Sequence, residues 1–217
     1  MLEAAEPGAG IGLDDDAIVD NTLTFIGAGH ETTAVALAWT LYLVAEQPAL
    51  GEALAAESRA AFGGGRVERA TLDGLDLHRR TIAESMRLYP AVAAIVRSVV
   101  RDVRVGELEL APGDHVTVAT LPMHRNPEFW PDPDAFDAER FRAERGRQRE
   151  RFAYLPFGDG PRACIGAAFA LDEATLVLAR LTESLAFEPS GAPPPEPVLR
   201  VTLRPHDGLP LRVRARG

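Results

Sequence analysis

Phe157-Gly158-Asp159-Gly160-Pro161-Arg162-Ala163-Cys164-Ile165-Gly166 is the stretch on which the reading of this chain turns. Gly158 and Gly160 shape a tight loop, Arg162 lies two residues before the only cysteine, and a helical pattern opens just after the thiol. Taken alone, a lone cysteine reads as a small buried hydrophobe. Here a following helix N-terminus and nearby backbone N–H groups would stabilise a thiolate, the form that ligates metal. One soft ligand without CxxC spacing or histidine partners does not make a zinc or iron–sulfur site. It does suit one axial position on a haem, whose equatorial ligands come from the porphyrin.

Outward from this loop, residues 167–185 read as a helix, followed by Ala192-Pro193-Pro194-Pro195 and a terminal strand pair around residues 205–209. Upstream, residues 126–155 are rich in proline and charge and read as irregular coil. Residues 92–105, 108–110 and 115–121 read as short strands, with Ala111-Pro112-Gly113-Asp114 as a turn. Before residue 90 the signals are helical. Asp14-Asp15-Asp16 caps a long apolar pattern to about Glu46, and Pro48 starts a helix that Gly63-Gly64-Gly65 stops after Phe62. A third helix spans residues 77–88, ahead of Pro90. Helices first, strands later and a final helix give an α+β class that is mainly α.

The 217 residues suit one to two domains, and a net charge of −9 argues against a nucleic-acid partner, which wants a basic field. All 23 basic residues are arginine, read first as genomic base composition. A single cysteine excludes an intramolecular disulfide framework and fits a reducing compartment. The opening Met1-Leu2-Glu3-Ala4-Ala5-Glu6-Pro7-Gly8 carries acids where a signal peptide carries positive charge. The longest uncharged apolar stretch, residues 32–45, is too short to span a bilayer. A cytoplasmic protein with no membrane and no nucleic-acid partner is expected.

With the cysteine loop go several further motifs. They are Ala28-Gly29-His30-Glu31-Thr32-Thr33, Glu84-Ser85-Met86-Arg87, His124-Arg125-Asn126-Pro127, Phe136-Asp137-Ala138-Glu139-Arg140-Phe141 and Arg204-Pro205-His206-Asp207-Gly208. In kind and order they resemble the cytochrome P-450 family of haem-thiolate monooxygenases, across nearly the whole chain. The resemblance implies the C-terminal half of that fold, a partial haem domain over residues 1–217 with the N-terminal half absent. On that basis residues 32–45, buried in a complete member, are expected to lie partly uncovered.

The resemblance also implies the cofactor, haem b (iron protoporphyrin IX), with Cys164 as the axial ligand of the iron. It implies a small organic substrate, dioxygen and an external electron donor, a ferredoxin or a flavoprotein reductase. Arg97 and Arg162 match positions that hold the haem propionates, where a guanidinium suits a carboxylate. Phe157, Gly158, Gly166 and Ala28 fall at cofactor-contacting positions, with Phe157 expected beside the sulfur. Glu84, Arg87 and Arg140 match a buried structural triad; alone, an i,i+3 pair such as Glu84–Arg87 is a surface ion pair of a few tenths of a kcal/mol.

Ala28 and Thr32 are four apart and share a helix face, and Gly27, Ala28 and Gly29 would let that helix approach a flat cofactor. Thr32 can bond back to a carbonyl one turn earlier, opening the helical ladder. Glu31 and Thr32 then form an acid–alcohol pair able to relay protons, against the plainer reading of a kinked core helix with an exposed glutamate. Residues 92–96 and 206–209 line the substrate side or simply pack as strand and turn. Arg140, Arg142, Arg145, Arg147, Arg149 and Arg151 either steer an acidic electron donor or form a solvated segment. Two other outcomes stay open: a peroxide-driven haem-thiolate peroxygenase, and a non-catalytic fragment that binds haem weakly or not at all.

Overall fold

The computed structural model describes residues 13–63, 68–146 and 149–217. The acidic opening at residues 1–8, Gly64 and Gly65 of the helix stop, and Arg147 of the arginine run lie outside them. Asp14 caps the first helix as its sequence predicts, its carboxylate accepting from the Ala17 N–H at 2.8 Å. The helix α1 (Asp15–Ala45) then runs unbroken for 31 residues. Next, α2 (Pro48–Phe62) begins on Pro48 and ends at Gly63, whose φ of +49° is the left-handed turn that glycine adopts without strain. A short α3 (Arg69–Asp73) leads into α4 (Asp76–Leu88).

The middle of the chain holds β1 (Ala94–Ser98), β2 (Val103–Val105), β3 (Leu108–Leu110), β4 (His115–Ala119) and the single turn α5 (Thr120–Met123). After it comes α6 (Ala143–Gly146), then α7 (Ala167–Ser184), β5 (Leu185–Pro189), β6 (Pro197–Leu199), β7 (Leu203–Pro205) and β8 (Leu211–Ala215). Four antiparallel pairs form, β1 with β4, β2 with β3, β5 with β8 and β6 with β7. The result is the mainly α, α+β architecture expected.

The core lies where α1, α4 and α7 meet. Ala36, Ile82, Met86, Ala174 and Leu178 form its centre, with Leu37, Leu41, Leu171 and Phe157 leaning on it. Each large aliphatic side chain buried there stabilises the fold by roughly 1.5–3 kcal/mol. A buried polar node ties α2, α4 and α7 together. Glu57 accepts from the Leu77 and His78 N–H groups (2.9 and 3.1 Å) and pairs with His78 Nδ1 at 2.6 Å. His78 Nε2 meets Ser58 Oγ at 3.0 Å and Thr182 Oγ1 at 3.1 Å. Burial pushes the Glu57 carboxyl up, but these hydrogen bonds outweigh it and hold the group below its usual range. Glu57 thus caps α4 from a neighbouring helix, since Leu75 at the N-cap position makes no side-chain cap.

Three expectations are corrected. Residues 92–105 are not one strand, because β2 folds back on β3 through Gly106 (φ +60°) instead of following β4. The strands around residues 205–209 do not pair with each other: residues 206–210, with Gly208 at φ +84°, only connect them, β7 pairs back to β6, and β8 pairs with the distant β5. Residues 115–121 are not all strand, since β4 ends at Ala119 and Thr120 and Leu121 turn into α5. Residues 32–45 are partly uncovered as expected, with Ala34 exposed and Leu37 and Leu41 half-buried. Val35, Trp39, Leu43 and Val44 are buried against α2, α4, α7 and β5, and the large exposed apolar side chains lie earlier, at Val19, Leu23 and Ile26. Within the expected coil of residues 126–155, single 3-10 turns form at Ala138–Phe141 and Arg151–Ala153. Among the described residues no helix is long and apolar enough to cross a membrane.

Candidate functional site

The cysteine loop is built by its glycines. Gly158 (φ +71°) and Gly160 (φ +74°) sit where side chains are strained, and Asp159 between them accepts from the Gly160 N–H at 2.7 Å. The Cys164 N–H donates to the Phe157 carbonyl at 2.9 Å, closing the loop, and Gly166 forms the N-cap of α7. The thiol is therefore exposed three residues ahead of the positive end of an 18-residue helix. A Cβ on Gly166 would come 3.9 Å from the Cys164 Sγ, so the sulfur lies within van der Waals reach of that position. Phe157 packs onto the core where α1, α4 and α7 meet. That fixes the loop to the helices that carry the rest of the site.

A Cβ on Gly158 would meet Ile95 at 3.6 Å, which places β1 against the loop. Arg97, two residues further along β1, is exposed and donates to its neighbour's carbonyl, Val96 O, at 3.0 Å. Arg162 is exposed within the loop. Among the described residues neither arginine has an acidic partner. On α1, the Thr32 hydroxyl donates to the Ala28 carbonyl at 2.8 Å, as its spacing predicts. The helix stays continuous through this point, so the expected opening of the ladder is not seen. Cβ atoms on Gly27 or Gly29 would meet nothing within 4 Å, leaving the Ala28 face open. Glu31 does not stand free: its Oε1 accepts from the Thr202 hydroxyl at 2.6 Å.

The structure brings Glu84, Arg87 and Arg140 together. Arg87 grips the Glu84 carboxylate with Nε and Nη2, both at 2.8 Å, and both side chains are fully buried. Arg140 Nε comes within 3.3 Å of Glu84 Oε1 as an ion pair, without a well-directed hydrogen bond. The remaining capacity of the pair is used on backbone. Arg87 donates to the His124, Pro133 and Ala135 carbonyls, and Glu84 accepts the Asp137 N–H. His124, wholly buried, accepts the Leu155 N–H on Nε2 at 2.8 Å, just ahead of the cysteine loop. Burial, and then the Arg87 guanidinium, push its pKa down to about 4, against the pull of the Met86 and Arg87 backbone.

The arginine run is partly anchored and partly solvated, with Arg142, Arg145 and Arg151 all more than half exposed. Arg149 stacks over Phe141 at 4.1 Å and Trp130 at 5.0 Å. Arg142 pairs with Glu139, Arg145 with Asp137 and Arg151 with Asp159. Each described arginine of the run thus has an internal partner, which favours the solvated-segment reading over a free docking patch. Sequence reasoning missed Thr202, the Glu57–His78 node and the part His124 plays. The first two join residues far apart in the chain, and only His124 carried a signal, the motif around Asn126.

The donor set fits a haem: one soft thiolate ligand on an open face, two guanidiniums free of acids among the described residues, and an open small-residue helix surface. Comparison with known proteins agrees. The sequence profile of the family described as Cytochrome P-450 matches residues 1–210. Cytochrome P-450 714C3 of Oryza sativa subsp. japonica is 38% identical, covering 98% of this chain and 42% of that protein. Cyclooctat-9-en-7-ol 5-monooxygenase of Streptomyces melanosporofaciens is 35% identical, covering 87% of this chain and 41% of that protein. In structure, the cytochrome P-450DA heme domain superposes with a TM-score of 0.89 at 34% identity, covering 100% of this chain and 49% of that one. The chain spans about two-fifths of the length of the curated relatives it matches. Five local motifs around one cysteine loop, a shared fold and a matching profile converge: the chain belongs to the cytochrome P-450 family, whose members are haem-bearing monooxygenases.

Proposed function

We propose that this chain carries the thiolate and proton-handling half of a monooxygenase site. That site inserts one atom of dioxygen into a small organic substrate, using two electrons from an external ferredoxin or flavoprotein reductase. The observation that carries the reading is Cys164, exposed on its glycine-built loop at the start of α7, beside arginines with no acidic partner among the described residues. Haem b, when bound through Cys164, supplies the redox chemistry of oxygen activation. Arg97 and Arg162 would then hold its propionates, and the open Ala28 face of α1 would give a flat macrocycle room.

The chain's own residues handle the protons. The Thr32 hydroxyl gives its proton to Ala28 O, which leaves its oxygen lone pairs as acceptors toward the open face. Glu31 supplies a carboxylate beside it, able to pass protons inward. Glu84, Arg87 and Arg140 make no contact with the reacting atoms in this reading; they hold the segment that leads into the cysteine loop.

Haem reconstitution tests the proposal. The 217-residue chain is mixed with haem b, reduced and exposed to carbon monoxide, alongside Cys164→His. The chain is expected to take up haem and show the Soret shift of thiolate ligation, and the variant to lose that shift while keeping haem. A histidine-like CO spectrum in the unmodified chain overturns the assignment of Cys164. Failure to take up haem overturns the enzymatic reading of this chain in favour of a non-catalytic fragment.

A further inference from the structure

The contact between Glu31 and Thr202 spans 171 residues and joins the proton-handling segment of α1 to the loop between β6 and β7. Thr202 is almost wholly buried, and its own carbonyl accepts the Arg200 N–H at 3.1 Å. The next residue, Leu203, donates its N–H to the Ala91 carbonyl at 2.9 Å. Its carbonyl accepts the Trp39 indole N–H at 2.8 Å, two turns along α1 from Glu31. The Trp39 ring in turn stacks on Tyr89 at 4.0 Å. A hydroxyl on a buried residue whose own carbonyl and next residue are tied by these bonds has little freedom to follow a moving carboxylate. The carboxylate must come to it.

We infer that Thr202 is a positioning residue for Glu31: its hydroxyl locks Oε1 in place and leaves Oε2 as the oxygen that exchanges protons. A hydroxyl has one proton, and Thr202 gives it to Oε1. Among the described residues Oε2 makes no hydrogen bond, so the second oxygen is free to take or give a proton without breaking the lock. A charge-assisted hydrogen bond of this kind also restricts the long glutamate side chain to one rotamer, and that geometry is what proton transfer needs. The contact links the β6–β7 loop to proton delivery, so displacement of that loop would release Glu31. This inference rests on the proposed role of Glu31 and adds the residue that orients it.

The test uses Thr202→Val, which keeps shape and removes the hydroxyl, with Thr202→Ser as rescue, in the full chain. Two readouts need no haem. Isotope-edited infrared spectra should show one glutamate carboxylate band shifted in Thr202→Val, restored in Thr202→Ser, and no such shift in the Glu31→Ala background. Thr202→Val should lower the melting temperature by about 3–6 °C in the parent chain and by almost nothing in Glu31→Ala. In haem-loaded protein it should lower product formed per electron by about three- to tenfold, with the balance released as hydrogen peroxide. An unmoved carboxylate band, or melting shifts that simply add, overturns the lock. An unchanged product yield in Thr202→Val overturns its positioning role. If Glu31→Gln also leaves the yield unchanged, the failure lies in the reading of Glu31 itself.

Discussion

The Glu84–Arg87 pair and the cysteine loop are joined through only a few residues, yet they treat charge in opposite ways. Glu84 and Arg87 are fully buried and saturated, each polar atom answered by an opposite charge or a backbone group. Around the cysteine loop, Cys164, Arg97 and Arg162 are exposed, and among the described residues the two arginines have no acid to face. A buried charge left unpaired costs several kcal/mol, so a scaffold must complete its own ion pairs. An exposed arginine pays no such penalty and stays available to a ligand. The pattern of satisfaction therefore separates residues that hold the fold from residues set aside for a cofactor.

The largest expected effect comes from breaking the saturated side. Glu84→Ala would strand the Arg87 guanidinium among carbonyls and is expected to cost about 3–5 kcal/mol in chemical denaturation. A loss under 1 kcal/mol would mean that the pair is not the structural element its burial indicates. Next comes His124, the buried ring between the Arg87 backbone contact and Leu155. Its folded pKa, about 4, lies below its ordinary 6.5. The stability tied to its neutral form is therefore fully present above pH 6.5 and is lost as pH falls from there through about 4. The difference amounts to about 3 kcal/mol. His124→Gln, which keeps an acceptor for the Leu155 N–H but cannot titrate, should flatten that part of the stability–pH curve; a parallel curve would remove His124 as the cause.

The smallest effect on folding belongs to the open side. Arg97→Ala and Arg162→Ala should each leave unfolding within about 0.5 kcal/mol of the parent chain. Haem retention, followed by transfer to an apoprotein acceptor, should weaken by about 10- to 100-fold in each. Loss of fold stability with unchanged haem retention would reverse the assignment and place these arginines with the scaffold.

Local chemistry explains which parts were legible from sequence. The Asp14 cap, the Pro48 start and the Gly63 stop rest on properties of single residues and their immediate neighbours, so they could be read directly. The same holds for the Thr32 back-bond and for the i,i+3 spacing of Glu84 and Arg87. Strand pairing could not be read this way. β5 finds β8 across the whole terminal segment, and nothing in residues 206–210 marks them as the connection between two unrelated pairs. The arginine run was also ambiguous, because composition cannot say whether an arginine meets a carboxylate, an aromatic face or water. Arg149 shows how much depends on that, stacked over Phe141 while its neighbours pair with acids.

By itself the sequence determined the four long helices, the cysteine loop and the family, since glycine conformations, caps and motif spacing are written over a few residues each. Only the tertiary structure decided which charges are used up and which are free. That depends on groups meeting across long stretches of chain: Glu57 capping α4, His124 holding Leu155, and Thr202 reaching Glu31. The physical reason is desolvation. Burial makes an unpaired polar group costly, and burial is a property of the packed chain that no local pattern carries.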